Sequence, residues 1–145
     1  KGCVMTRFRM FRIHTNQFAV FKDIFPDSDN LGFQIGLNFK HADNGQKIAC
    51  AMMFILCDGD ERILILEITC EFEIFEEDWK SFCKDNIVTI PKDTLEFFAL
   101  HTVGTARGIL HCKTEGTSFN GVIMPPINVS EIIKSDIVID MNKKE

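Results

Sequence analysis

The chain has 145 residues, of which 46% are hydrophobic and 26% charged, with a net charge of −5. That length suits one domain, 1–145, able to bury roughly 70% of its unfolded surface. The composition excludes disorder over most of the chain, and the negative balance argues against a nucleic-acid partner, which calls for a basic patch.

"RFRMFR" is the one basic cluster, with Arg7, Arg9 and Arg12 interleaved with aromatics. It reads as the solvated side of a first strand running from Thr6 to Phe21. The alternation changes phase between Phe11, Ile13 and Phe18, Val20, which predicts a bulge or bend. "FPDSDN" is a turn-rich break. "LGFQIGLNFKH" then alternates cleanly, with Leu31, Phe33, Ile35, Leu37 and Phe39 on one face, as expected of a strand with one covered side.

Asn44-Gly45 marks a hairpin turn, and "KIACAMMFILC" is a third strand, apolar on both faces. "DGDE" turns the chain into a fourth, "RILILEITCEFEIF", whose even positions from Leu64 to Ile74 form an unbroken apolar row. The short links predict an antiparallel meander of four strands. "EEDWKSFCKDNIVTI" reads as an irregular connection. A long helix begins near Pro91, an allowed first-turn position, with Asp93 and Glu96 near the positive end of its dipole. Its apolar residues recur at helical spacing and Gly116 stops it. A short second helix is expected from Ser130 as N-cap, followed by Glu131 and Asp136, and "NKKE" is a frayed tail.

Gly104 and Gly108 sit four apart in the long helix, where each costs about 1 kcal/mol against alanine. Two readings stay open: a kink or tight packing on the domain's own sheet, or a close helix–helix contact between subunits.

Six cysteines stand at Cys3, Cys50, Cys57, Cys70, Cys83 and Cys112, without a CxxC pair. Most lie in apolar or helical runs, where a free thiol acts as a small hydrophobe. With no signal-peptide pattern and no apolar run of membrane-spanning length, a reducing cytoplasm and no membrane insertion are expected. No phosphate loop, HExxH or nucleophile elbow is present. His14, His41, His101 and His111 are scattered, and the last two lie about 280° apart around a helix. No catalytic residues, metal or cofactor are expected from these spacings.

The segment from Ala106, "ARGILHCKTEGTSFNGVIMPPINVSEII", resembles the SecB family of export chaperones. Ala106, Arg107, Phe119, Pro126 and Asn128 match the family pattern without a gap, and Ile127 and Val129 are close replacements. "FRIHTNQFAVF" is similar to the family's first strand, and "DGDERILILEITCEFEIF" to its third hairpin and fourth strand. The resemblance implies an α+β fold: a four-stranded antiparallel sheet with a long helix and a short C-terminal helix packed on one face. It implies a homotetramer, a dimer of dimers whose long helices meet, which would give Gly104 and Gly108 their place.

By the same resemblance the function is that of an ATP-independent holdase, binding unfolded polypeptides or preproteins in a long apolar groove. The groove candidates are Phe25, Phe75, Trp79, Phe82, Phe119, Val122, Ile123 and Met124. Pro125 and Pro126, which lack a backbone donor, would keep the loop extended along the groove wall. In the family an acidic outer sheet face docks the translocase motor SecA, and Glu67 matches its fourth-strand acid. This chain departs from that pattern with Gln17 and Phe21 on the first strand, and with "IVIDMNKKE" in place of an acidic tail. Met53, Ile55, Ile63 and Ile65 would share that outer face in one hairpin register.

Two rival readings stand beside the general holdase. One keeps the fold but dedicates it to a single partner, such as an antitoxin of a toxin–antitoxin pair. The other is a small enzyme of hot-dog or NTF2-like form, which would need converging Asp, Glu or His.

Overall fold

The computed structural model describes residues 5–41 and 45–142. Cys3, the Asn44 of the expected turn and residues 143–145 of the tail lie outside them. β1 (Phe8–Val20), β2 (Leu31–His41), β3 (Lys47–Asp58) and β4 (Glu61–Ile74) form one antiparallel sheet. The order is β1-β4-β3-β2, so the expected four-strand meander is corrected to a Greek key. β2, β3 and β4 do follow one another through short turns. β1, however, pairs with β4, because the Phe21–Asn30 connection carries the chain across the sheet's end to the far edge.

The phase change in β1 is two bulges. The register against β4 slips between Met10 and Arg12 and again between Thr15 and Gln17, leaving Phe11 and Asn16 as extra residues. β4 bulges against β3 as well: Cys57 faces Arg62 and Leu56 faces Leu64, with Ile63 between them. Ile63 therefore joins the main core rather than the outer face.

The even-numbered row of β4 from Leu64 to Ile74 is buried against helices on one side. α1 (Glu76–Phe82), β5 (Cys83–Lys84) and β6 (Ile87–Ile90) occupy the stretch read as irregular. Its β5–β6 turn is Asp85-Asn86, both with positive φ, the geometry of a type I′ hairpin turn. α2 (Lys92–Thr114) follows Pro91 as N-cap and packs over β3 and β4. Phe72 of β4 stacks on Phe98 of α2 at 4.5 Å, and Phe8 of β1 meets Phe98 edge-on at 4.9 Å. Such pairs contribute about 0.5–1.5 kcal/mol beyond the area they bury.

The short C-terminal helix exists as α3 (Val129–Ile132), but its cap is Asn128 and Ser130 lies inside it. Asp136 does not belong to that helix. Its carboxylate accepts the Lys92 amide at 2.8 Å, satisfying one of the free donors at the start of α2. The chain then forms β7 (Ile137–Asp140), which pairs with β6 in a second, three-stranded sheet.

Gly104 and Gly108 lie on the exposed side of α2, and a Cβ at either would meet nothing within 4 Å. Packing on the domain's own sheet therefore does not account for them.

Candidate functional site

After Gly116, whose φ of +80° reverses the chain, a turn through Phe119 and Gly121 leads into a ribbon that runs extended beside α2 from Val122 to Asn128. Its side chains alternate. Phe119, Met124 and Val129 are buried, Val122 and Ile127 are half-buried, and Gly121, Ile123, Pro126 and Asn128 face outward. Prolines at 125 and 126 prevent strand pairing there, so the main-chain carbonyls need another partner. Arg107 supplies it, donating from Nε to the Met124 carbonyl at 3.4 Å and from a terminal nitrogen to the Pro125 carbonyl at 3.3 Å. Arg107 follows Phe98 by nine residues, about 180° around the helix. Since Phe98 meets β1, the ribbon is held on the flank of α2 away from β1, toward β2.

The eight groove candidates fall into two groups rather than one. Phe25, Phe119, Val122, Ile123 and Met124 gather around the ribbon, with Phe25 edge-on to Phe119 at 5.5 Å. Phe75, Trp79 and Phe82 belong to α1 and its approach, near Arg7 at the opposite end of β1, about 40 Å along a 13-residue strand. Within each group exposure differs sharply. Ile123 is 71% exposed and Phe75 46%, whereas Met124 and Phe119 are at 2% and belong to the core. Trp79 is buried as well, stacked on His41 at 5.6 Å.

The open apolar surface that sequence reasoning missed is the inner row of β2. Phe33 is 50% exposed, and Leu31, Ile35, Leu37 and Phe39 are half-buried. Their alternation signalled a covered face. They stay partly open because α2 sits over β3 and β4 while β2 is the sheet's edge. Only the tertiary placement of α2 reveals that.

On the outer face the register places Ile55 opposite Ile65 and Met53 opposite Glu67, with Gln17 of β1 on the other side of Glu67. Glu73 pairs with Arg9 at 2.9 Å, and Glu71 lies 3.5 Å from Arg12 and 3.6 Å from His14 Nε2. Arg9, Arg12 and Lys47 surround the ring of Phe11, the first bulge residue, at 5.2–5.7 Å. Glu67 makes no ion pair among the described residues. It borders a concavity of about 400 Å³ floored by Ala49, Ala51 and Met53. A second concavity, of about 450 Å³, lies between Arg7, Gln46, Phe75 and Glu77.

Arg7 also fixes α1. Its guanidinium and its main-chain N–H both donate to Asp78, the latter at 2.6 Å. The Arg7 side chain, then its amide, hold the Asp78 carboxyl below the usual carboxylate range. Cys50 and Cys70 face each other across β3 and β4, buried, with the Thr102 hydroxyl against both. Burial pushes the Cys50 thiol up to about 12 and raises Cys70 too. These are packing thiols, not nucleophiles.

The histidines remain apart. His14 is on the outer face and His41 donates from Nε2 to the Gly45 carbonyl at 2.7 Å. His101 lies against Phe8, and His111 beside Asn120. Among the described residues no group of three His, Cys, Asp or Glu converges as metal ligands would. Among the described residues no helix is long and apolar enough to cross a membrane.

Neither a known family model nor a curated protein matches the sequence. Among solved structures the fold matches the Mycobacterium tuberculosis SecB-like chaperone Rv1957, solved in complex with a ChAD peptide from the HigA1 antitoxin. The superposition covers 84% of this chain and 91% of that one, with a TM-score of 0.53 and 11% sequence identity. That likeness, over most of both chains, gives this chain the SecB-like fold.

Proposed function

We propose that this protein is a SecB-like holding chaperone that shields an unfolded segment of one dedicated polypeptide partner, of the antitoxin kind. The observation that carries the reading is the half-open apolar row of β2 on the same side of the sheet as the ribbon. Burying one valine, leucine or phenylalanine of a client there contributes on the order of 1.5–3 kcal/mol. A few such contacts hold a chain loosely, without nucleotide hydrolysis. The likeness to a chaperone solved with an antitoxin peptide favours the dedicated form. So does the outer face, where Arg9 and Arg12 offset the acids at Glu73 and Glu71.

A general preprotein holdase delivering to SecA is the second reading, favoured by Glu67, which has no ion pair among the described residues. In either form the working assembly is a homotetramer in the cytoplasm, with the Gly104–Gly108 faces of α2 meeting between subunits.

The test is suppression of aggregation. The protein is mixed at stoichiometric ratio with several unrelated urea-unfolded proteins and with the product of a neighbouring antitoxin-like gene. Protection confined to that product supports the dedicated chaperone, and equal protection of all supports the general one. Protection of none overturns both.

A further inference from the structure

We propose that Asn120 is a site of spontaneous conversion to aspartate and isoaspartate, and that the conversion unlatches the ribbon from the end of α2. The reaction needs no client and holds whatever the ribbon binds.

The side-chain amide of Asn120 is the latch. α2 ends at Thr114, with its last carbonyls short of intrahelical partners. Asn120 Nδ2 donates to the His111 carbonyl at 3.0 Å and to the Thr114 hydroxyl at 3.2 Å. That hydroxyl donates in turn to the Leu110 carbonyl at 2.8 Å. One primary amide thus ties the turn that precedes the ribbon to the last residues of the helix.

The same amide stands in a reactive setting. Asparagine is thermally labile, because its side-chain carbonyl carbon lies within reach of the next residue's main-chain nitrogen. Here the next residue is Gly121, exposed, without a Cβ to hinder the approach and with open space around it. The amides on either side are engaged, Asn120 with the Thr117 carbonyl and Val122 with that of Phe119. The Gly121 N–H has no acceptor among the described residues, so the attacking nitrogen is free. The departing nitrogen has a neighbour: His111 Nδ1 lies 3.5 Å from Asn120 Nδ2, where an imidazole can pass it a proton.

In the reaction the Gly121 nitrogen attacks Asn120 Cγ. A C–N bond forms, closing a five-membered succinimide, and the Cγ–Nδ2 bond breaks. Nδ2 leaves as ammonia, taking its third proton from the His111 ring. The Gly121 amide proton passes to water, from which His111 recovers its own. Water then opens the ring at either carbonyl, giving aspartate or isoaspartate, and nothing is oxidised or reduced.

Either product replaces two donors with a carboxylate, which only accepts. It would face the His111 carbonyl at the negative end of the α2 dipole and be repelled by both. Isoaspartate also lengthens the main chain by one methylene directly after the buried Phe119. The ribbon then keeps only its downstream anchor on this helix, where Arg107 grips the Met124 and Pro125 carbonyls.

The test uses the full chain carrying Asn44→Gln, which removes its other Asn-Gly pair, kept folded at neutral pH for several days. Peptide mass mapping is expected to find the amide-to-acid mass gain at Asn120, divided between aspartate and isoaspartate. Gly121→Ala should slow the gain at least tenfold, and His111→Gln, which keeps the main-chain carbonyl, at least threefold. The acidic form, separated by ion exchange, should exchange the amides of residues 119–123 at least tenfold faster than the unconverted form. An Asn120 still intact when the free peptide Gly116–Met124 has fully converted overturns the proposal. So does an acidic form whose amide exchange matches that of the unconverted form. An unchanged rate with His111→Gln overturns the part assigned to His111.

Discussion

The guanidinium of Arg107 donates to the main-chain carbonyl of Pro125 at 3.3 Å, joining the long helix to a ribbon that has no strand neighbour to satisfy it. Hydrogen bonds from a charged donor contribute about 1.5–3 kcal/mol. Arg107→Ala is expected to lower the urea-unfolding free energy by about 1–2 kcal/mol. It should also speed amide exchange selectively from Gly121 to Asn128. Arg107→Lys, which keeps the charge but loses the fork, should restore only part of that protection.

Neighbouring ribbon positions should behave oppositely. Met124 lies in the core and Ile123 projects outward. Met124→Asp is expected to destabilise by at least about 3 kcal/mol, since it leaves a cavity and buries a carboxylate. Ile123→Asp should leave the urea-unfolding free energy within about 0.5 kcal/mol of the parent while weakening client protection. Full protection by a stable Ile123→Asp variant would remove the ribbon from the holding surface.

The glycines of α2 give a prediction of two signs. With open space around both positions, Gly104→Ala with Gly108→Ala should stabilise an isolated subunit by about 1 kcal/mol per site. If the α2 faces meet between subunits, the same change should shift the native mass toward a smaller species. Light scattering combined with thermal unfolding reads both effects, and an unchanged mass would remove these glycines from the interface.

Asp78 supplies a pH dependence. Its carboxyl titrates below its ordinary value because Arg7 donates to it. The ionised form is thus favoured by folding, and the stabilisation is complete above the unfolded pKa of about 3.9. It is lost as pH falls through the lower, folded value. Asp78→Asn should therefore have a lower urea midpoint than the parent at pH 7, and the gap should close on acidification below about pH 4.

The sequence showed those parts of the fold whose physics is local. The alternation in β2 and β4, the phase slip of β1 and the start of α2 after Pro91 each follow from neighbours a few residues apart. Strand order does not, because whether β1 joins β2 or β4 depends on contacts across the whole chain. The β5–β6 hairpin was signalled by Asp85-Asn86, a pair suited to positive φ, yet its two-residue arm is too short to show a period. β7 is likewise only four residues long and finds its partner more than forty residues upstream. At the candidate site the prolines announced an extended ribbon, and the ribbon is there. Which of its side chains point inward, and that β2 stays half-open, depend on where α2 rests and could not be read from spacing.

The pairing of β7 with β6 has a consequence for biogenesis. Synthesis proceeds from the N-terminus, so the large sheet and α2 emerge before residues 137–140 can dock. Until then β6 lacks its partner on that side, and the second sheet is held by the short β5–β6 hairpin alone.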